Sequence, residues 1–236
     1  MSERFWAVVP AAGAGRRMGS EIPKQYLSLL GRRVIEHSLQ RLLSHPRIEA
    51  VYLALSAEDE WWPTTSFAAD QRVVRAAGGR ERCHSVLNAL ELLAETADEH
   101  DWILVHDAAR PCLRHADLDQ LIDTLRNDPV GGLLGVPVHD TMKQVDGLAR
   151  VETTVSRDRL WHAYTPQMFR LGMLHSALAE ALQQGRLVTD DASAMELQGY
   201  QPRMVQGHAD NIKITRPADL PLAEFYLNEQ LTARQQ

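Results

Sequence analysis

An uninterrupted run of apolar residues at Phe5–Pro10 constrains the fold of this chain more than any other feature of its sequence. A strand with one face in water alternates apolar and polar residues, whereas a strand covered on both faces is apolar throughout. A glycine-rich turn follows this run, and the apolar residues of Val34–Ser44 then recur at helical spacing. We therefore expect Phe5–Pro10 to form a strand inside a sheet that has helices on both faces.

Predicted strands and helices alternate along most of the chain. Strands are predicted at Ile48–Leu55, Gln71–Ala76, Trp102–His106, Gly131–Val138, His162–Phe169 and Arg203–Gln206, and helices at Glu81–Ala97, Ala116–Arg126, Leu171–Gln184, Asp190–Gln198 and Pro217 to about Leu231. Repeated strand–helix–strand units predict an α/β fold with a mostly parallel sheet. The length of 236 residues suits a single domain.

The alternation of predicted strands and helices is interrupted at Asp140–Val155. An Asp146-Gly147 pair separates two runs of residues that favour strands, which is typical of a β-hairpin. A two-stranded hairpin is only marginally stable by itself in water. The hairpin is therefore expected to rest either on a second subunit or on its own sheet, and the pattern leaves both options open.

Composition places the chain among ordinary globular enzymes. Hydrophobic residues make up 44% of the chain and charged residues 24%, and the formal net charge is -6. Proteins that bind duplex nucleic acid usually carry a basic surface, so the charge argues against a nucleic-acid partner. A local group of cations can still bind an anionic substrate.

The sequence also predicts a cytoplasmic protein with no membrane span. The two cysteines, Cys83 and Cys112, form neither a disulfide framework nor a metal-ligand set, and reduced thiols are the expectation. The apolar start resembles the core of a signal peptide, but Glu3 lies in the leader and Arg16-Arg17 follow where a cleavage site would be. No other stretch approaches the roughly 20 apolar residues of a membrane-spanning helix.

The turn after the first strand has the composition of an anion-binding loop. Pro10–Met18 is rich in small residues and contains Arg16 and Arg17, and Lys24 follows. Small residues let backbone N–H groups approach a phosphate, and cations neutralise it. Met18 occupies the third glycine position of a dinucleotide-binding fingerprint, and the spacing of a P-loop is also missing. A tight turn with solvated arginines remains the alternative.

Gly78–Ser85 lies at a junction between a strand and a helix. The two glycines, Gly78 and Gly79, permit close approach of a base or ribose, and the helix N-terminus favours an anion. The alternative is that Glu81 and Ser85 are simply residues of the first helical turn. His84 is expected to be exposed there.

Two carboxylates follow later predicted strands. Asp107 comes after Trp102–His106, where open α/β sheets bind ligands, and a carboxylate there can hold Mg²⁺ together with substrate phosphates. The alternative is an ion pair between Asp107 and Arg110. Asp210 is a candidate second metal contact or part of a plain turn, and Lys213 is a candidate site residue or a surface lysine.

Several catalytic signatures are missing from the sequence. It contains no nucleophile elbow, no His-Glu-x-x-His and no Cys-x-x-Cys. The pattern therefore indicates the binding of anions rather than covalent or acid–base catalysis.

In their order along the chain, these motifs resemble those of 2-C-methyl-D-erythritol 4-phosphate cytidylyltransferases of the non-mevalonate isoprenoid pathway. The matching segments run from Ala7 to Tyr226. They are Ala7–Met18, Pro23–Tyr26, Gly78–Val86, His106–Pro111, Asp140–Lys143, Thr154–Trp161, Thr165–Gln167, Thr189–Asp191 and Asn211–Thr215. The resemblance implies a Rossmann-like, GT-A-like nucleotidyltransferase sheet with a protruding β-hairpin arm at about 139–156.

The resemblance also implies roles for individual residues. The catalytic cations would be Arg17 and Lys24 on the CTP phosphates, and Arg157 and Lys213 on the acceptor phosphate. The nucleotide site would be lined by Pro10, Ala11, Ala12, Gly13, Gly79, Arg82 and Ser85, with Ser85 near the base. Asp107 and Ala108 would lie between nucleotide and acceptor, and Thr141, Thr165 and Thr189 would help to bind the acceptor. A divalent cation, Mg²⁺ or another, would assist, with Asp107 and Asp210 as its candidate ligands.

The family resemblance implies a homodimer in which the hairpin crosses to the neighbouring subunit. Thr141 and Arg157 would then serve the neighbour's site. The expected reaction joins CTP and a small polyol phosphate and releases pyrophosphate. Two alternatives are a ribitol 5-phosphate cytidylyltransferase and a Rossmann-type dehydrogenase or nucleotide-binding module, the latter supported by the Gly13/Gly15 turn and by Glu58.

Overall fold

A computed structural model describes residues 3–13 and 22–233. The strands are β1 (Phe5–Pro10), β2 (Ser28–Leu29), β3 (Arg32–Arg33), β4 (Ile48–Leu55), β5 (Val73–Ala77), β6 (Trp102–Val105), β7 (Gly131–Pro137), β8 (Met142–Val145), β9 (Val151–Val155), β10 (Trp161–Arg170) and β11 (Arg203–Gln206). The helices are α1 (Val34–Leu43), α2 (Arg82–Leu93), α3 (His115–Leu125), α4 (Leu171–Gln183), α5 (Asp191–Leu197) and α6 (Asp219–Ala233), with short 3-10 helices at Lys24–Tyr26 and Trp62–Thr64.

In the described part of the chain, seven strands form one sheet in the order β11-β7-β10-β6-β1-β4-β5. Neighbouring strands are parallel except for β10, which runs antiparallel to both β6 and β7. The predicted mostly parallel α/β sheet is therefore confirmed. The carboxyl ends of β1, β4, β5, β6 and β7 consequently meet at one edge, where a ligand site is expected.

Strand β1 is buried on both faces, as its composition predicts. Ala7 and Val9 pack into a core with α1 and α3, whereas Trp6 and Val8 pack into a second core with α2 and α4. Each of these side chains is at most 7% exposed. Two apolar layers therefore fix the position of β1 and of the turn that follows it.

Most predicted elements agree with the structure to within two residues, and α2 is the main exception. It ends at Leu93 rather than Ala97, because the chain turns there with the Thr96 and Ala97 N–H groups both donating to the Leu93 carbonyl. The pair β2–β3 and the 3-10 helices were not predicted, since strands of two residues and single helical turns leave little periodicity to detect.

The predicted hairpin is confirmed as the antiparallel pair β8–β9, which is separate from the main sheet. Its turn is longer than an Asp-Gly pair requires. The Asp146 carboxylate accepts the N–H groups of Leu148 and Arg150, and Ala149 takes the left-handed backbone angle (φ 60°) instead of Gly147. The hairpin exposes apolar side chains, with Leu148 74% exposed. What covers this hairpin stays a prediction.

No helix within residues 3–13 and 22–233 has the length and apolar character needed to cross a membrane.

Candidate functional site

A pocket of about 220 Å³ opens at the edge where the parallel strands end. It is lined by Pro10, Ala11, Ala12, Gly13, Lys24, Gln25, Gly79, Arg80, Glu81, Arg82, Ser85, Asp107, Ala108, Ala109 and Lys213. These residues come from five separate stretches of sequence. Three of the stretches, Pro10–Gly13, Gly79–Ser85 and Asp107–Ala109, lie at the ends of the parallel strands β1, β5 and β6. The motifs that were predicted separately thus converge on one cavity.

The turn after β1 is held in place by Gln25. Its side-chain amide donates to the carbonyls of Ala11 (2.8 Å) and Gly13 (3.2 Å), and the residue is only 4% exposed. Ala11 N–H donates to the Ala54 carbonyl, which continues the β1–β4 pairing by one residue. Gln25 lies in the Pro23–Tyr26 motif, but the sequence does not reveal its role, because its partners are backbone atoms more than ten residues away in sequence.

The second glycine pair is required by close packing. A Cβ on Gly78 would lie 2.3 Å from the Cβ of Ala12, and one on Gly79 would lie 2.3 Å from the Cβ of His84. Ser85 closes the turn, since its hydroxyl accepts the Gly79 N–H (2.9 Å) and donates to the Glu81 carbonyl (3.2 Å). The absence of a side chain at Gly78 lets the turns after β1 and β5 touch, and residues of both turns line the pocket.

Asp107 lies among three cations of the described chain. Its carboxylate is 2.9 Å from the Lys213 ammonium, 3.3 Å from Nε of Arg110 and 3.4 Å from Nε of Arg82. Burial favours the neutral acid, but the charges of Arg82, Lys213 and Arg110 outweigh it and hold the pKa of Asp107 well below its usual range. The predicted alternative, an Asp107–Arg110 ion pair, is therefore present and coexists with a place in the pocket.

Arg82 is anchored from behind by Asp191, the first residue of α5. The guanidinium donates two parallel hydrogen bonds to the Asp191 carboxylate, at 3.1 and 2.8 Å, and Asp191 is fully buried. Burial lowers the pKa of Arg82, but the carboxylates of Asp191 and Asp107 raise it above its ordinary value. The Thr189–Asp191 motif pointed to this region, but the sequence could not show that its last aspartate orients Arg82.

His106 and Thr165 fix the backbone at Asp107. The Asp107 N–H donates to Oγ1 of Thr165 (3.0 Å), and that hydroxyl is 3.0 Å from Nδ1 of His106, whose Nε2 is 3.1 Å from the Arg110 carbonyl. Burial lowers the pKa of His106 to about 4, so the ring is neutral near pH 7. A carbonyl can only accept, so Nε2 carries the hydrogen and Nδ1 accepts from Thr165.

Lys213 reaches the pocket from a segment that docks against Asp107–Arg110. Ile214 N–H donates to the Ala109 carbonyl (2.8 Å), and Nη1 of Arg110 donates to the Asn211 carbonyl (2.7 Å). Lys24 also lines the pocket, and its ammonium donates to the Ile214 carbonyl of this segment at 3.2 Å. The predicted convergence of Lys24 and Lys213 is thus observed, whereas Arg17 lies outside the described residues.

Other predicted site residues do not line this pocket within the described chain. Thr165 is buried, and its hydroxyl already has two hydrogen-bond partners. Thr141, Arg157 and Thr189 are exposed, and Arg157 donates to the His139 carbonyl.

Asp210 is also elsewhere. Its carboxylate accepts two hydrogen bonds from Arg114, at 2.9 and 2.6 Å, rather than facing the pocket. The structure therefore does not bring Asp210 to Asp107 as a second metal contact.

Comparison with known protein families identifies the family to which this chain belongs. The model of the 2-C-methyl-D-erythritol 4-phosphate cytidylyltransferase family matches residues 5–229. The chain belongs to this family. It is 57% identical over 217 residues to the 2-C-methyl-D-erythritol 4-phosphate cytidylyltransferase of Pseudomonas putida (strain GB-1), covering 92% of each chain. It is 55% identical over 224 residues to that of Hahella chejuensis, covering 95% of this chain and 93% of the relative.

Solved structures of the cytidylyltransferase family have the same fold. A crystal structure of 4-diphosphocytidyl-2C-methyl-D-erythritol synthase aligns with a TM-score of 0.83 at 37% identity, covering 96% of this chain and 99% of the other. The Francisella tularensis 2-C-methyl-D-erythritol 4-phosphate cytidylyltransferase aligns with a TM-score of 0.83 at 33% identity, covering 95% and 100%. The resemblance inferred from the motifs is confirmed, and the dehydrogenase alternative is not.

The acidic residues of the pocket fit a metal ion carried by a nucleotide rather than one held by protein alone. No group of three His, Cys, Asp or Glu residues in the described ranges has metal-binding geometry. Asp107 supplies one buried carboxylate at the pocket, and Mg²⁺ commonly takes one or two carboxylates together with substrate phosphates and water. The donor set of this cytidylyltransferase is thus compatible with an ion held by Asp107 together with the phosphate oxygens of a nucleotide.

Proposed function

We propose that this protein transfers the cytidylyl group of CTP to 2-C-methyl-D-erythritol 4-phosphate, forming 4-diphosphocytidyl-2-C-methyl-D-erythritol and pyrophosphate. It is a nucleotidyltransferase of the non-mevalonate isoprenoid pathway. The observation that carries the proposal is the pocket in which Lys24, Arg82 and Lys213 meet beside two glycine turns. Its two cysteines are free and buried, which agrees with the reducing cytoplasm that we propose as its location.

CTP is proposed to bind across the two turns at the ends of β1 and β5. Ala11–Gly13 and Gly79 offer backbone surfaces that a base and phosphates can approach closely, and Ser85 lies at the base end of this arrangement. Lys24 would neutralise the triphosphate, with Arg17 as its proposed helper. Arg82 is held ready by Asp191 and needs little reorganisation when the nucleotide arrives.

The reaction needs no nucleophile from the protein. An oxygen of the acceptor phosphate is already anionic and attacks the α-phosphorus of CTP, forming a new P–O bond. The bond between the α-phosphorus and the bridging oxygen breaks in line, and pyrophosphate leaves with that electron pair. Catalysis then consists of positioning both substrates and stabilising charge on the phosphoryl oxygens.

Lys213 is the proposed partner of the acceptor phosphate. Its ammonium lies 2.9 Å from Asp107, and its side chain is 36% exposed, so it can exchange this carboxylate for a phosphate. Asp107 and Ala108 would lie between nucleotide and acceptor. In this arrangement Asp107 keeps the cations in the pocket until the substrates replace it.

A divalent cation, Mg²⁺ or another, is proposed to enter with CTP. Asp107 is the pocket residue that would hold it, together with the triphosphate oxygens. When bound, such an ion offsets the negative charge of the departing pyrophosphate.

The hairpin β8–β9 is proposed to complete the site of a neighbouring subunit in a homodimer. Thr141 and Arg157 flank this hairpin and do not line the pocket of their own chain. The exposed apolar residues of the hairpin, such as Leu148 and Val151, would be covered in a dimer. Dimers with twofold symmetry, in which both subunits contribute the same surface to the interface, are the commonest homo-oligomers.

Subunit mixing tests the shared site. Arg157→Ala and Lys213→Ala enzymes should each be inactive, but a dimer of one of each contains one intact site. After exchange at equal amounts, activity should recover to about a quarter of the wild-type value, as expected for random pairing in a C2 dimer. No recovery between variants that demonstrably exchange subunits would contradict the proposal.

The main test is pyrophosphate release from CTP and 2-C-methyl-D-erythritol 4-phosphate in the presence of Mg²⁺. Lys24→Ala and Lys213→Ala should each lower the rate about 100-fold or more, the scale for loss of one preorganised donor. Arg186→Ala is the control, since Arg186 is exposed and lies outside the pocket, and it should react normally. Near-wild-type rates in the folded lysine variants, or faster turnover of ribitol 5-phosphate, would refute the assignment.

A further inference from the structure

The segment that carries Lys213 has no regular structure of its own. It leaves β11 after Gln206 and reaches α6 only at Asp219, without a helix or strand between them. Strand and helix hydrogen bonds therefore do not set the position of Lys213. That position depends on the individual contacts that the segment makes with the rest of the domain.

A polar cluster, in which Asp210 and Gln230 are buried, contacts this segment three residues before Lys213. Oδ2 of Asp210 accepts hydrogen bonds from Nε and Nη2 of Arg114, at 2.9 and 2.6 Å, and from the side-chain amide of Gln230, at 2.8 Å. Asp210 is only 7% exposed, and Gln230 6%. The cluster thus ties the segment to the residue before α3 and to α6 at the same time.

Gln230 is itself held in a defined orientation. Its carbonyl oxygen accepts from Nη2 of Arg41 in α1 (2.8 Å), and its amide also donates to the Cys112 carbonyl (2.9 Å). This arrangement fixes which end of the amide faces Asp210. A carboxylate that receives several fixed N–H donors is held far more tightly than an exposed ion pair.

We propose that Asp210 is a positioning residue for Lys213. It acts by holding the irregular segment against Arg114 and Gln230, so that the Lys213 ammonium stays at the pocket. Asp210 does not line the pocket, and its Oδ2 is occupied by Arg114 and Gln230, so the proposed role is indirect. The inference rests on the proposed function of Lys213 in binding the acceptor phosphate.

The structure explains why a small change at Asp210 should matter. Asn211 follows directly, and its carbonyl and side-chain amide bind Arg110 and Thr165, so movement at Asp210 passes to contacts next to Asp107. Asp210→Asn keeps the size of the side chain but removes the charge. Because misplacement of a catalytic group by a fraction of an ångström is costly, we expect kcat/KM for the acceptor to fall about tenfold.

Kinetics with both substrates separate positioning from general damage. In Asp210→Asn, kcat/KM for 2-C-methyl-D-erythritol 4-phosphate should fall about tenfold, while KM for CTP should change less than about twofold. The control is Asp119→Asn, because Asp119 also forms ion pairs from α3 but contacts Arg47 and His45, away from this segment. The control should react like the wild type.

The decisive experiment is a double-mutant cycle with Lys213→Ala. If Asp210 acts through Lys213, adding Asp210→Asn to Lys213→Ala should lower the rate less than about twofold further. A further tenfold loss in that background would show an independent structural effect and overturn the proposal. An unchanged rate in Asp210→Asn alone would overturn it as well.

Two additional results make the test unambiguous. If Asp210→Asn does not fold, Arg114→Gln replaces it in the cycle, since the Arg114 side chain is 37% exposed and tolerates substitution more readily. Arg114→Lys, which keeps the charge, should restore part of the lost rate. If Lys213→Ala itself reacts normally, the proposed role of Lys213 fails, which is distinguishable from failure of the Asp210 proposal alone.

Discussion

Replacing Asp107 by Asn should destabilise the protein, because one charge balances several cations. The carboxylate lies 2.9 to 3.4 Å from Lys213, Arg110 and Arg82, and Asp107 is only 7% exposed. Removing one partner of a buried ion pair typically costs about 3–5 kcal/mol. Arg82 keeps its ion pair with Asp191, and Lys213 can turn towards water. Most of the lost stability therefore comes from the buried charge of Arg110, which loses its carboxylate partner. We expect a loss of about 3 kcal/mol in unfolding free energy.

Urea unfolding of the wild type and Asp107→Asn checks this value near pH 7. A loss of about 3 kcal/mol corresponds to a decrease of about 6–12 °C in melting temperature for a chain of this size. Asp123→Asn is the matched control, since Asp123 pairs with Arg47 on the surface and should leave the unfolding midpoint unchanged.

The pH dependence has a defined sign. The pKa of Asp107 is lower in the folded than in the unfolded protein, so its contribution is fully present above the unfolded value of about 3.9. It is lost as pH falls through the folded pKa. The stability difference between wild type and Asp107→Asn should therefore be constant from about pH 5 to 8 and narrow below about pH 4. Equal stability of the two proteins near neutral pH would refute the reasoning.

Two further substitutions test the pocket wall at Gly79 and the support of the Asp107 backbone by Thr165. Gly79→Ala would place a Cβ 2.3 Å from the Cβ of His84, so it should raise KM for CTP about tenfold or more in steady-state kinetics. Gly147→Ala, where nothing lies within 4 Å, should leave KM for CTP unchanged. Thr165→Val should lower the unfolding free energy by about 1–3 kcal/mol because the Asp107 N–H loses its acceptor. Thr165→Ser, which keeps the hydroxyl, should stay close to the wild type in urea unfolding, and equal losses in both variants would contradict this account.

Local sequence patterns predict the sheet well because burial on both faces leaves a local signature. In β1 every side chain must be apolar, and the first core assignment follows from six consecutive residues. Gly78 and Gly79 likewise indicate that another group packs closely against the backbone, but they do not indicate which group. The identity of that neighbour, Ala12, depends on strand order and could not be predicted from spacing.

Long-range polar contacts account for most of what the sequence left undetermined. Asp191 lies 109 positions after Arg82, and Gln230 lies 20 positions after Asp210. A single aspartate or glutamine in a helix carries no periodic signal, and its partner is fixed only by the completed fold. For the same reason Asp210 is a candidate metal contact from the sequence. The sequence near a carboxylate does not show whether its partner in the fold is a metal ion or an arginine.

Two buried aspartates, Asp191 and Asp210, lie behind the cations of the pocket rather than in it. If Lys213 exchanges the Asp107 carboxylate for a phosphate, as proposed, its ammonium must be able to turn, and its side chain is 36% exposed. Accurate placement of the ammonium then requires a fixed backbone. The position of Arg82 is fixed differently, because its guanidinium itself donates two hydrogen bonds to the Asp191 carboxylate. The segment of Lys213 instead contacts the rest of the protein through neighbouring residues, and the proposed anchoring at Asp210 would fix its backbone.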